Sequence, residues 1–206
     1  MGPYPKLVSL KDGTEVTLRP MQEDDLDRSH RFFMSLPEED RLVLRMDVTD
    51  REIVRIRMEQ SDAEERWRLV ALKGDEIIGD ASLVQPRHGW KQHTAEIRCI
   101  VARPLQNLGL GRVLLNELFQ EATRRGIEKV VGEVIEEQVA AKRILNYLGF
   151  REEMLLQDHR RTLHGELHDL TIMTASISDA WSHMEDLMHN MDGHGRERHP
   201  RRKAKP

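Results

Sequence analysis

The segment that most restricts this chain is Gln106-Asn107-Leu108-Gly109-Leu110-Gly111, which lies between an apolar strand and an amphipathic helix. Thr94 to Val101 has the composition and length of a strand. From about Gly111 to Arg125 apolar residues recur at helical spacing, with Val113, Leu114, Leu118 and Ala122 on one side. The first N–H groups of a helix have no internal acceptors and carry a partial positive charge, so a phosphate binds there readily. Glycine lets the backbone approach such a ligand because no Cβ intervenes. Arg112 adds a cation at the same end. Glycine spacing alone is equally compatible with tight packing of the loop. A dinucleotide fold asks for Gly-x-Gly-x-x-Gly directly after the strand, with an acid about 20 residues on. Glu133 would serve as that acid, but Leu114 stands at the third glycine position and Ala102 to Leu108 intervene between strand and glycine.

The rest of the chain reads as alternating short elements. Leu7 to Leu10 and Glu15 to Arg19 form a hairpin about Lys11-Asp12-Gly13, and Pro20 ends it. Glu23 to Ser35 is a helix with Leu26, His30, Phe33 and Met34 on one side. Pro37 opens a short second helix, and Asp50 to Gln60 is a third. Strands follow at Trp67 to Leu72, Glu76 to Val84 and Thr94 to Val101. Beyond the glycine loop come a strand from Lys129 to Ile135, a helix from Gln138 to Leu148, and strands at Phe150 to Asp158 and Leu167 to Ser176. This order predicts a mixed α/β (α+β) domain. Ser178 to Met191 carries Trp181, Met184, Leu187, Met188 and Met191 on one stripe, which predicts packing on the domain or on a homodimer partner. The boundaries are therefore 1–177 for the domain, 178–191 for an extra helix and 192–206 for a basic, disordered tail.

Val101, Gln106, Gly109 and Gly111 match in type and spacing a signature of the GNAT superfamily of N-acetyltransferases. That signature is Gln/Arg-x-x-Gly-x-Gly/Ala after the fourth strand, with a valine five residues before it. Gln138-Val-Ala-Ala141-Lys-Arg-Ile-Leu145-Asn-Tyr-Leu148-Gly149-Phe150 resembles the family's second signature, a helix closing in Gly-Phe. The order of elements is similar from about Val16 to Ser176. Leu18-Arg-Pro, Asp24-Asp25, Phe32-Phe33, Leu36 and Arg45 resemble the acetyltransferase domain of bacterial Pat-type protein-lysine acetyltransferases. His168-Asp169-Leu-Thr-Ile-Met173 recurs in related bacterial GNATs.

The resemblance implies a GNAT-like fold, in which a mostly antiparallel twisted sheet has splayed fourth and fifth strands and is flanked by helices. It implies acetyl-CoA as co-substrate and a primary amine, on a protein lysine or a small molecule, as acceptor. The cofactor-binding residues it implies are Ile100, Val101, Gln106, Asn107, Leu108, Gly109, Leu110, Gly111, Arg112 and Gln138, the last standing where the family often has an asparagine on the pantetheine arm. Family chemistry is direct attack of the amine on the thioester. An amine of lysine-like pKa near 10.4 is neutral in only about one molecule in a few thousand at pH 7, so a general base assists. Glu96 is the expected base, with a raised pKa if it is buried between Ala95 and Ile97. The competing reading is an ion pair with Arg98 on the same strand face. Glu133 is the reserve. The family's acid is a tyrosine four residues before the Gly of Gly-Phe, but Leu145 stands there. Tyr147 is the candidate acid, roughly 200° further round the helix, and reaches the thiol only if the helix is rotated or distorted. These departures leave a non-catalytic acyl-CoA-binding regulatory module as the alternative and an NAD-binding domain as the second.

Composition narrows the remaining classes. A net charge of −4, with acids and bases interspersed outside the tail, argues against a nucleic-acid partner. No apolar run approaches the ~18 residues of a membrane span, and MGPYPKLVSLKDGTEV lacks the apolar stretch of a secretory signal. The single cysteine, Cys99, excludes an internal disulfide and fits a reducing, cytoplasmic setting. In an apolar strand it reads as a small core residue. His159, His164, His168 and Asp169 have metal-ligand chemistry, but strand alternation spreads them over two faces, so no metal is expected.

Overall fold

The alternating strands at the N-terminus pair as expected. β1 (Lys6–Ser9) and β2 (Glu15–Pro20) form an antiparallel hairpin in a computed structural model that describes residues 4–42, 44–59 and 65–182. Six further strands complete one sheet: β3 (Arg66–Lys73), β4 (Glu76–Val84), β5 (Thr94–Val101), β6 (Lys129–Ile135), β7 (Arg151–Arg161) and β8 (Leu167–Ser176). Their spatial order is β1-β2-β3-β4-β5-β6-β8-β7. Every neighbouring pair is antiparallel except β5 and β6, which are parallel because helix α4 (Leu110–Arg124) crosses between them. Helix α5 (Val139–Tyr147) follows β6.

The two faces of the sheet have different covers. One face carries Leu69, Ala71, Ala81, Leu83, Ala95, Ile97, Val130 and Val134, packed with Leu114, Leu118 and Phe119 of α4. Burying each of the Leu, Ile, Val and Phe side chains among them contributes roughly 1.5–3 kcal/mol. Val113 is only half-buried, whereas Leu110, Leu115 and Phe119 join the buried side of the helix, which therefore buries a wider arc than the expected stripe. Gly126, at φ 69°, ends the chain's run through α4, and the Ile127 N–H returns to the Ala122 carbonyl.

The opposite face is covered by α1 (Leu26–Ser35) and α3 (Arg51–Glu59), with Phe32, Phe33 and Val54 on Val70 and Leu72, and the short α2 (Glu38–Leu42) between them in the chain buries no residue. A 3-10 turn, Glu23–Asp25, precedes α1. The buried arc of α1 is Ser29, Phe32 and Phe33, and Met34, expected inside, is 46% exposed. Buried Asp25 secures the start of this helix. It accepts two bonds from Arg19 (2.6 and 2.7 Å) and one from the Gln22 N–H (2.8 Å). Ile177 to Ser182 are helical and dock on the end of α4, where Trp181 Nε1 donates to Thr123 Oγ1 (2.9 Å). The remainder of the expected helix to Met191, and the tail 192–206, lie outside the described residues.

Candidate active site

β5 and β6 are paired only from Thr94–Lys129 to Ile97–Gly132. Beyond that point Arg98–Val101 stay with β4 and Glu133–Ile135 stay with β8, so the two strands part into a V. The resulting cleft has a volume of about 500 Å³. Both strand edges, the first turn of α4, one side of α5 and the segment 44–48 line it. α5 lies close against β6 because residue 132 is glycine. A Cβ there would stand 3.0 Å from Leu145 Cδ1. Gly132→Val is accordingly expected to cost about 1–3 kcal/mol by overpacking, measured by urea denaturation.

The glycine loop closes one end of the cleft. A short 3-10 turn, Arg103–Leu105, leads into it, and Gln106 Nε2 donates back to the Val101 carbonyl (3.1 Å). Asn107 (φ 62°) and Gly109 (φ 96°) both take left-handed conformations, and Gly109 caps α4 without a side-chain bond. The first N–H groups of α4 therefore meet no capping side chain. Gly111 lines the cleft beside Val101 and Ile144. The Lys11 N–H donates to the Leu108 carbonyl (3.2 Å), and the Lys11 stem lies 3.9 Å from where a Gly109 Cβ would be. Nothing in the local pattern around Lys11 signals this approach, which depends on the β1–β2 hairpin reaching α4.

Ile100, Val101, Gln106, Asn107, Gly111 and Gln138 all line the cleft, so the structure brings most of the expected cofactor residues together. Gln138 Oε1 accepts the Ile135 N–H (3.1 Å), which leaves the carboxamide nitrogen as the donor end. Leu110 is fully buried under the loop, and Leu108 is half-buried. Arg112 lies outside the cleft wall with Tyr147. Its Nη1 donates to the Tyr147 hydroxyl (3.1 Å), and its guanidinium stands 5.4 Å from the ring centroid. α5 is regular and presents Ala141, Ile144 and Leu145 to the cleft. Tyr147, 38% exposed, is on the side away from it.

Strand register places Arg66 and Arg68 of β3, Asp80 and Ser82 of β4, Glu96 and Arg98 of β5, Glu133 of β6 and Arg160 of β7 on the face under α1–α3. Arg160 is re-aimed by a bulge between Leu156 and Arg160, where Asp158 has φ 49°. Glu96 accepts from Arg98 (2.8 Å) and pairs with Arg45 (2.5 Å), and Arg45 also pairs with Glu133. Burial pushes the Glu96 carboxyl upward, but the two guanidiniums outweigh it and hold the group below the usual glutamate range. The expectation of a raised pKa is thus reversed, and the expected ion pair with Arg98 is present. Deeper in the same face, buried Asp80 meets Arg57 (3.1 Å) and Arg68 (3.4 Å). Burial lowers the Arg68 guanidinium to about 10. Asp80 is held below the usual carboxylate range because two cations converge on it, so both stay charged at neutral pH.

Cys99 is not a core residue. It is exposed within the cleft wall, because the parting of β6 uncovers its side of β5. Desolvation by the surrounding protein atoms, with Asp80 nearby, pushes its thiol up to about 12. His164 pairs with Glu38 (3.1 Å), and His168 pairs with Glu137 (3.0 Å). Asp169 accepts the Asp158 N–H. Among the described residues no group of three or more His, Cys, Asp or Glu side chains is placed to hold a metal ion. No described helix is long and apolar enough to cross a membrane.

Solved structures share this architecture. The GNAT domain of PAT from S. lividans superposes with a TM-score of 0.70 at 20% identity, covering 83% of this chain and 96% of that one. The yncA protein of Salmonella typhimurium, solved with acetyl-CoA, gives 0.66 at 23% identity, covering 79% and 94%. A ribosomal-protein-alanine N-acetyltransferase from Brucella melitensis gives 0.66 at 24% identity, covering 77% and 98%. No curated protein matches the sequence. The sequence model described as the acetyltransferase (GNAT) family matches residues 31–150, which contain both signatures and both walls of the cleft. The chain therefore belongs to the GNAT family of acetyltransferases and is an acyltransferase enzyme.

Proposed function

We propose that the protein transfers the acetyl group of acetyl-CoA to a primary amine by direct attack in the cleft between β5 and β6. The observation that carries this reading is that the cleft ends on the uncapped N-terminus of α4. Pyrophosphate fits the N–H groups following Gly109, with Lys11 and Arg112 as nearby cations. The pantetheine arm lies along the free edge of β5, with the Gln138 amide nitrogen as a donor. A dinucleotide site fits less well, because the residue at the third glycine position, Leu114, is fully buried beneath Gly79.

In the reaction the amine nitrogen forms a bond to the thioester carbonyl carbon, and the carbon–sulfur bond breaks. An N–H on the free edge of β5 stabilises the oxyanion. Glu96 receives the ammonium's proton, directly or through water, with Glu133 on the opposite strand as the second carboxylate. Tyr147 positions Arg112 in this scheme, so the departing thiolate takes its proton from water.

Two measurements test the cofactor reading. Acetyl-CoA at about 100 times its Kd should raise the stability by about 2.7 kcal/mol in a thermal melt, whereas NAD at the same concentration should leave the melt unchanged. Equal shifts from both would sink the assignment. Gly109→Ala forces a φ of 96° on a residue with a Cβ. It should weaken acetyl-CoA binding about tenfold by calorimetry.

A further inference from the structure

The charged part of the sheet face contains an arginine that the reaction does not use. Glu96 and Glu133 face Arg45, Arg98, Arg66 and Arg160 among the described residues, and Asp80 is already engaged by Arg57 and Arg68. Arg160 lines the cleft and has no hydrogen-bond acceptor among the described residues. Among the described residues Arg66 Nε and Arg68 Nε also have no hydrogen-bond partner, but they lie behind the cleft wall rather than in it. The guanidinium of Arg160 therefore keeps its donors for a ligand in the cleft. The guanidinium of Arg160 is lowered, by burial first and then by Arg45.

α2 spans the mouth of this region. α2 is tied to one arm of the V through Arg103, which bonds Glu39 (2.8 Å) and Asp40 (2.9 Å). It is tied to the other through His164 and Glu38 on the β7–β8 hairpin. The cleft of about 500 Å³ must also hold the cofactor's arm.

We infer that the acceptor is a small amine bearing an anionic group, carboxylate or phosphate, bound by Arg160 in the cleft while its ammonium meets Glu96 and Glu133. This rests on the acetyl-transfer reading and names its substrate class. Guanidinium forks suit planar and tetrahedral oxyanions alike. A polyamine or a lysine in a basic peptide would bring a second cation against Arg160 instead of an anion.

The test compares matched acceptors by thiol release: α-amino acids, the corresponding amino-acid amides, phosphoethanolamine and a lysine-containing basic peptide. Calorimetry of each with the CoA-bound protein runs in parallel. Acids or the phosphate should exceed the amides at least about tenfold in kcat/KM and in affinity. Which of the two leads identifies the oxyanion. In Arg160→Gln that preference should collapse to within about threefold, mainly through KM, with acetyl-CoA affinity unchanged. Preference for the amides or the basic peptide would overturn the inference, as would an acid-to-amide ratio unaltered by Arg160→Gln. Absence of thiol release with every amine, alongside selective binding of the anions, would instead overturn the acetyl-transfer reading and leave the anion site standing. Absence of selective binding as well would remove both.

Discussion

Glutamine at position 96 is expected to lower kcat/KM by about a hundredfold, at the lower end of what a general base contributes. The substitution keeps the shape of the side chain and removes only the charge that pairs with Arg98 and Arg45. Because those guanidiniums hold the Glu96 carboxyl below its usual range against the upward push of burial, the group is ionised throughout the neutral region. With an acceptor of lysine-like pKa the wild-type rate should therefore rise about tenfold per pH unit from pH 6 to 9, following the fraction of neutral amine, with no break from Glu96. A break near pH 6.5, or a Glu96→Gln variant with unchanged turnover, would remove Glu96 as the base. Glu133→Gln is the companion measurement, since Glu133 shares Arg45 and can take over part of the role.

Asp80→Asn carries the largest expected effect on stability, a loss of about 3–5 kcal/mol in urea denaturation. The carboxylate is buried, and its removal leaves the buried Arg68 guanidinium without a counter-charge. The sign with pH follows from the lowered carboxyl. Asp80 stabilises the fold fully above the ordinary aspartate pKa near 3.9, and the contribution is lost as pH falls through its lower folded value. Wild-type protein should thus lose stability steeply on acidification below about pH 4, and the variant should lose less over the same range. A variant as stable as the wild type would show that Arg57 and Arg68 find other acceptors.

Local pattern carries the fold further than it carries the site. Period-two strands, the Pro20 stop and the Gly126 and Gly149 turns are short-range signals, and each element appears close to its expected span. The glycine loop was legible for the same reason, because a strand, two glycines and a helix are adjacent in the chain. The acceptor side is built from contacts that no periodicity encodes. Arg45 reaches Glu96 across 51 positions. Arg160 owes its direction to a bulge. Cys99 was misplaced because an apolar strand was assumed to be covered along its whole length, whereas β5 loses its neighbour after Ile97. Glu96 was expected to be raised on its flanking residues alone, which omits the two arginines that outweigh burial.

The parting of β5 and β6 has a consequence for self-association. Edge strands are templates for strand addition by other chains, and most folds confine them to the rim. Here the interior of the sheet also contains open edges, at Arg98–Val101 and at Glu133–Ile135. They face each other inside a V that α2 bridges, and each is too short to register with a strand from another molecule. The rim strand β7, long and exposed with Met154 and Leu155 outward, is the more accessible template. Aggregation of this protein should begin at β7, and a lysine in place of Leu155 should suppress it without reaching the cleft.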